Sequence, residues 1–185
     1  PCQHHLHMKK TDIKKILVPV DFTEISEIAM DEAFRLARLL KSDIFLIHVI
    51  EFTGYQFSIV PEAQTVMPSL LKIERAVEKK MNEMQEELRQ KHGIKPEVFV
   101  TTGHVYEEVL DYSKKKRMDL IIMGTHGTSG FKEYFIGSNT QRVVTLSEIP
   151  VLSIQKKTSK AGFKNILLPI DNSLHSREKV SIAMV

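Results

Sequence analysis

Gly124, Gly127 and Gly137, the last followed at once by Ser138 and Asn139, form a Gly-x2-Gly-x9-Gly-Ser pattern directly after a short apolar run. Glycines at 124 and 127 let backbone approach a ligand with no Cβ in the way and permit positive φ. Gly137-Ser138-Asn139 opens a helix, so free backbone N–H groups and the positive end of a helix dipole gather at one edge. Such an edge suits an anion, and phosphate is its natural occupant. Ser138 also makes a capping-box pattern with Gln141, which gives its hydroxyl a second use as a helix cap. Asp21, at the end of another apolar run, is the companion candidate. A carboxylate accepts from two hydroxyls at once, as the acidic residue of dinucleotide sites does toward a ribose. Its other use is as an N-terminal partner of the following helix.

The chemistry stops at binding. There is no G-x-x-x-x-G-K-[ST] and no G-x-G-x-x-G, so neither a P-loop NTPase nor a dinucleotide dehydrogenase is supported. Lys132 is the one lysine inside the glycine loop, and no base or arginine finger is in view for in-line phosphoryl transfer. His126 reads as a loop histidine bonded to backbone, and His48, inside an apolar strand, as a satisfied core histidine. Glu107, Glu108 and the run Lys114 to Arg117 read as solvated helix surface. No catalytic residue is assigned.

The elements that must position these residues alternate along the chain. Strands are expected at Ile16–Val20, Ile44–Ile50, Glu97–Thr101, Leu120–Met123 and Pro150–Ile154, most of them continuous apolar runs, as in a parallel sheet covered on both faces. Helices are expected over Ser26–Leu40, from beyond Pro68 to His92 with Gly93 as its stop, over Tyr106–Lys115 and near Ser138–Leu146. Five strands with helical crossovers give an α/β fold, a doubly wound five-stranded parallel sheet of order 3-2-1-4-5 with helices on both faces. Ligands in such sheets sit at the carboxyl ends of strands where the order reverses, which brings the ends of strands one and four, Asp21 and Gly124, together. Phe52, Tyr55 and Phe57 lie in a long loop beside this edge, as a lid or as hydrophobic anchoring of the loop.

Composition sets limits on the rest. Lys and Arg number 26 against 23 Asp and Glu in 185 residues, a net charge of +3, interleaved and without a long basic run, which disfavours a dedicated nucleic-acid binder. The 42% apolar content is that of an ordinary globule with a sizeable core. With Cys2 as the single cysteine, no disulfide closes within the chain, and a reducing cytoplasm is the default. No apolar run approaches the roughly 18 to 20 residues of a membrane span. Cys2, His4, His5 and His7 match no closed tetrahedral metal site, so no metal-ligating residue is assigned.

Residues 1–8 look like an added, tag-like start and 9–155 like one domain. Residues 156–162 read as a linker, and 163–185 as the truncated start of a second copy. Lys164 to Asp171 (KNILLPID) repeats Lys14 to Asp21 (KKILVPVD) in register, with Ser176 falling on Ser26 and Ala183 on Ala33.

The chain resembles the universal stress protein family, in its ATP-binding branch, over about residues 14–155. The likeness rests on Ile16 to Phe22 (ILVPVDF), His48-Val49-Ile50, Asp119 to Gly127 (DLIIMGTHG), Gly137-Ser138-Asn139 and Ile149 to Leu152 (IPVL). It implies a Rossmann-like fold of the adenine nucleotide alpha hydrolase type. It implies that Asp21 and Pro19 approach the ribose of ATP and that backbone groups of Val49 read the adenine edge. Gly124, Gly127, Gly137, Ser138 and the amide of Asn139 would hold the phosphates, with Mg²⁺ or Mn²⁺ bridging phosphate oxygens. Some members carry valine where this chain has Asn139, and a backbone contact survives that change. The resemblance also implies a homodimer through the last strand, near Val151. The expected function is a nucleotide-dependent stress or signalling module of the cytoplasm. The alternatives are a slow ATPase or phosphotransferase of unknown acceptor and a nucleotide-free dimerisation module.

Overall fold

The computed structural model describes residues 12–51, 63–125 and 136–155, with backbone alone for 63–70, and all its elements lie within one compact unit, Ile13–Lys157. They alternate as β1 (Lys15–Pro19), α1 (Glu24–Leu40), β2 (Asp43–Ile50), α2 (Ala63–His92), β3 (Glu97–Thr102), α3 (Val105–Lys116), β4 (Leu120–Gly124), α4 (Ser138–Leu146) and β5 (Val151–Ile154). The five strands form one parallel sheet of order β3-β2-β1-β4-β5, as the apolar runs predict. No helix among the described residues is long and apolar enough to cross a membrane.

Alternation along the strands divides the core. Ile16, Val18, Ile44, Leu46, Leu120 and Ile122 face α1 and α2, where they meet Ala29, Ala33, Phe34, Ala37 and Met81. Leu17, Phe45, Ile47, Ile121 and Met123 face α3 and α4, against Val109, Tyr112 and Val143. Both faces are therefore dry, the condition under which a strand needs no polar alternation. Ala29, Ala33 and Ala37 are almost wholly buried, and their small side chains bring α1 close over β1 and β4. At the amino ends of the strands, Asp119 Oδ2 accepts from the amides of Lys14 and Lys15, both at 2.9 Å, which ties β4 to β1 in sequence-distant register.

Helix boundaries differ from the expected ones for local reasons. α1 begins at Glu24, because Thr23 caps it: its Oγ1 accepts from Ser26 N–H at 3.3 Å while Ser26 Oγ donates to the Thr23 carbonyl at 2.9 Å. α2 already runs from Ala63, so Pro68 lies in its second turn; the expected start beyond Pro68 followed from the missing proline amide. α2 does end at Gly93, with φ +73°. α1 and α3 instead turn out of the helix on Lys41 (φ 57°) and Arg117 (φ 53°), left-handed positions that carry no glycine and so leave no stop signal in the sequence.

Candidate functional site

A cleft of ≈ 380 Å³ opens at the carboxyl ends of the strands, where β1 and β4 diverge. Pro19, Asp21, Val49, Gly124, Gly137, Ser138 and Asn139 all line it. These are seven of the eight binding residues expected from sequence; the eighth, Gly127, lies outside the described residues, as do His126 and Lys132. Phe52, Tyr55, Phe57 and the repeat at 163–185 also fall outside them.

One wall is the start of α4. Gly137 is its N-cap (φ −56°, ψ 146°), and the first intrahelical bond runs from Gln141 N–H to the Gly137 carbonyl at 2.9 Å. The amides of Ser138, Asn139 and Thr140 precede that bond and are the helix's donors toward the cleft. The capping-box reading of Ser138 is corrected here: Ser138 is the first helical residue, and the cap makes no side-chain hydrogen bond. The helix start is instead held to the end of β4 and the residue after it by two bonds. Gly137 N–H donates to the Thr125 carbonyl at 2.6 Å, and Thr140 Oγ1 donates to the Gly124 carbonyl at 2.8 Å. Thr140, buried and absent from the sequence-based set, thus fixes the helix end over the strand end. No spacing rule marks it, because its partner is in another element.

Gly124 carries a second correction. Its φ is not positive, and its missing Cβ makes room for protein before any ligand: a Cβ there would stand 2.5 Å from Ile25 Cγ2 and 3.3 Å from the Ile25 carbonyl carbon. The glycine lets the first turn of α1 sit on the end of β4.

The opposite wall is the β1–α1 turn and the edge of β2. Asp21 Oδ1 accepts from Thr23 N–H at 3.0 Å and from Thr23 Oγ1 at 2.6 Å. Both expected uses of Asp21 are therefore compatible, since the helix cap takes one oxygen and, among the described residues, Oδ2 has no hydrogen-bond partner. Phe22 follows with φ 62°, a left-handed turn that swings the chain from β1 into α1. His48 Nδ1 lies 2.7 Å from the Val20 carbonyl. As a carbonyl only accepts, Nδ1 carries the hydrogen. Burial, aided by Lys80 and opposed by the Val20 bond and Asp21, holds the His48 pKa below its ordinary value, so the ring is neutral near pH 7. The histidine is satisfied, as expected, but it lines the cleft and is not sealed in the core. Glu51, also on the cleft, accepts from Val105 N–H at 3.4 Å at the head of α3.

The cleft thus offers amide donors at one end and a carboxylate with a strand edge at the other. Among the described residues its titratable side chains are Asp21, His48 and Glu51, and each already holds backbone. Among the described residues no three His, Cys, Asp or Glu side chains gather as a metal cage.

Comparison with known proteins agrees with this architecture. A profile of the Universal stress protein family matches residues 12–155. Universal stress protein MJ0577 of Methanocaldococcus jannaschii is 30% identical over 158 residues, covering 79% of this chain and 97% of that protein. The solved structure of universal stress protein UspA from Lactobacillus plantarum has a TM-score of 0.67 at 26% identity, over 77% of this chain and 97% of the other. At 17% identity, a universal stress protein from Archaeoglobus fulgidus, solved in complex with dAMP, shares the fold with a TM-score of 0.53, over 76% of this chain and 97% of its own.

Proposed function

This chain belongs to the universal stress protein family, and from that premise we propose that it binds ATP in the cleft between β1 and β4 and works as a nucleotide-dependent stress or signalling module of the cytoplasm. The observation that carries the reading is the pairing of the α4 amides with the Asp21 carboxylate across one cleft. The amides and helix dipole suit phosphates, the Asp21 carboxylate, whose Oδ2 has no hydrogen-bond partner among the described residues, suits ribose hydroxyls, and the edge of β2 at Val49 suits the adenine. The cleft volume falls within the range of small-ligand sites. A relative of the same fold was solved with dAMP, an adenine nucleotide.

A divalent cation fits this site as a companion of the phosphates. With no cage of side chains among the described residues, Mg²⁺ or Mn²⁺ would take its ligands from phosphate oxygens and water, the usual habit of Mg²⁺. The engagement of Asp21, His48 and Glu51 with backbone favours holding the nucleotide over turning it over.

A homodimer through β5 belongs to the same proposal. β5 is the sheet edge, and α4 beside it leaves Val144 and Leu146 more than half exposed. We further read residues 163–185 as the start of a second copy of the domain, on the repeat of KKILVPVD.

Calorimetry with ATP tests the site. The protein is expected to bind one ATP per chain, and a Gly127→Ala/Gly137→Ala double variant to bind at least tenfold more weakly. Unchanged affinity in the variant would sink the assignment. ATP retained for hours without ADP or AMP is the expected result for a binding module; steady release of either product would replace it with an enzyme.

A further inference from the structure

β1 and β2 pair in parallel as far as Pro19 opposite Ile47. One more bond follows, from Val20 N–H to the Ile47 carbonyl at 2.8 Å. In a parallel ladder, successive residues of a strand address its two neighbours in turn. Ile47 turns its carbonyl to β1, whereas Ile50 turns its own to the β3 side, where Gly103 N–H reaches it at 3.1 Å. Val49 shares the parity of Ile47, so its N–H and C=O face the side that β1 has just left. The next rung of the ladder would join Val49 N–H to the Val20 carbonyl. Among the described residues that bond is not made, and His48 Nδ1–H, at 2.7 Å, takes the same oxygen.

We propose that His48 is the positioning residue of the cleft: by donating to the Val20 carbonyl it satisfies that oxygen without the ladder bond from Val49 N–H, and so keeps the Val49 amide open for a hydrogen-bond acceptor on the edge of a planar heterocycle. Which ligand arrives rests on the nucleotide reading above; the open amide does not. The imidazole is held in place from behind. The Phe22 ring lies 4.7 Å from it, and Lys80 Nζ stands 3.8 Å over the Phe22 ring. Without the histidine donor, the part-buried Val20 carbonyl would lack a partner, a costly state that the neighbouring Val49 N–H can relieve by closing the ladder. β2 would then be zipped one rung further and its edge lost to ligands.

The test uses the full chain with His48→Phe, which keeps a ring without a donor, and His48→Asn, which keeps a side-chain N–H near the Nδ1 position. Amide exchange by NMR on ligand-free protein is read first. Val49 N–H should exchange readily in the wild type and in His48→Asn, and at least tenfold more slowly in His48→Phe. ATP affinity should fall about tenfold in His48→Phe, the effect of one lost hydrogen bond, and return to within about threefold in His48→Asn. Strong protection of Val49 in the ligand-free wild type overturns the proposal, whether or not the variants fold. So does His48→Phe with unprotected Val49, or with undiminished affinity. If the wild type binds no ATP, the nucleotide reading fails, and the exchange contrast alone decides the role of His48.

Discussion

Gly124 and Ile25, far apart in sequence, meet so closely that a single methyl group on the glycine would fall 2.5 Å from Ile25 Cγ2. The strand that delivers the cleft's floor and the helix that carries Asp21's cap partner are thereby in direct contact. Gly124→Ala is expected to lower stability by about 1–3 kcal/mol, the usual cost of overpacking, and to weaken nucleotide binding by shifting the head of α1. Ile25→Ala in the same chain should recover part of the stability. Denaturant unfolding of the two variants checks this; no recovery in the double variant would remove the steric explanation.

Asp21 commits one oxygen, Oδ1, to Thr23, and the proposed ribose contact falls to the other. Asp21→Asn keeps an Oδ1 acceptor for Thr23 and should leave stability within about 0.5 kcal/mol, while ATP affinity drops about tenfold through loss of an ionised acceptor. Thr23→Ala removes the helix cap and should cost about 1 kcal/mol. Paired melting and calorimetry separate the two, and an Asn variant that binds ATP as the wild type does would dismiss the ribose role.

Acid should weaken the fold through two partly buried imidazoles. His92, stacked on Phe34 at 4.4 Å between Arg38 and Asp31, has its pKa lowered chiefly by burial, then by Lys91 and Arg38 against the opposing pull of Asp31. His48 is lowered as well. A histidine whose folded pKa lies below its unfolded one binds protons more readily when unfolded. Its contribution is complete above the ordinary histidine value, about 6.5, and is lost as pH falls through the folded pKa. Unfolding curves should therefore show lower stability at pH 5.5 than at 7.5, and His92→Gln should flatten that slope. NMR titration should place both midpoints below the ordinary value.

The dimer reading makes a plain demand on the sheet edge. Leu146→Glu, at an exposed position on α4, together with Val151→Lys, at a partly buried position on the edge strand β5, should convert a dimer into a monomer in sedimentation while the chain stays folded. A wild type that sediments as a monomer at micromolar concentration would contradict the assembly.

The amino-acid sequence by itself determined the sheet and the neighbourhood of the cleft. Runs such as Ile16-Leu17-Val18 and Leu120-Ile121-Ile122-Met123 are apolar on both faces, as strands of a parallel sheet covered on both sides must be. Once β1 and β4 are adjacent, Asp21 and Gly124 must share one edge. What each of those residues does there depended on partners far away in the chain. The missing Cβ of Gly124 answers Ile25, Thr140 rather than Ser138 fastens α4, and one oxygen of Asp21 is spent on Thr23. His48, legible only as a histidine in an apolar strand, acquires its place because β1 departs one rung before β2 ends. Periodicity and spacing are local quantities and survive in the one-dimensional string; close approach and competition for a single carbonyl exist only after the elements have packed.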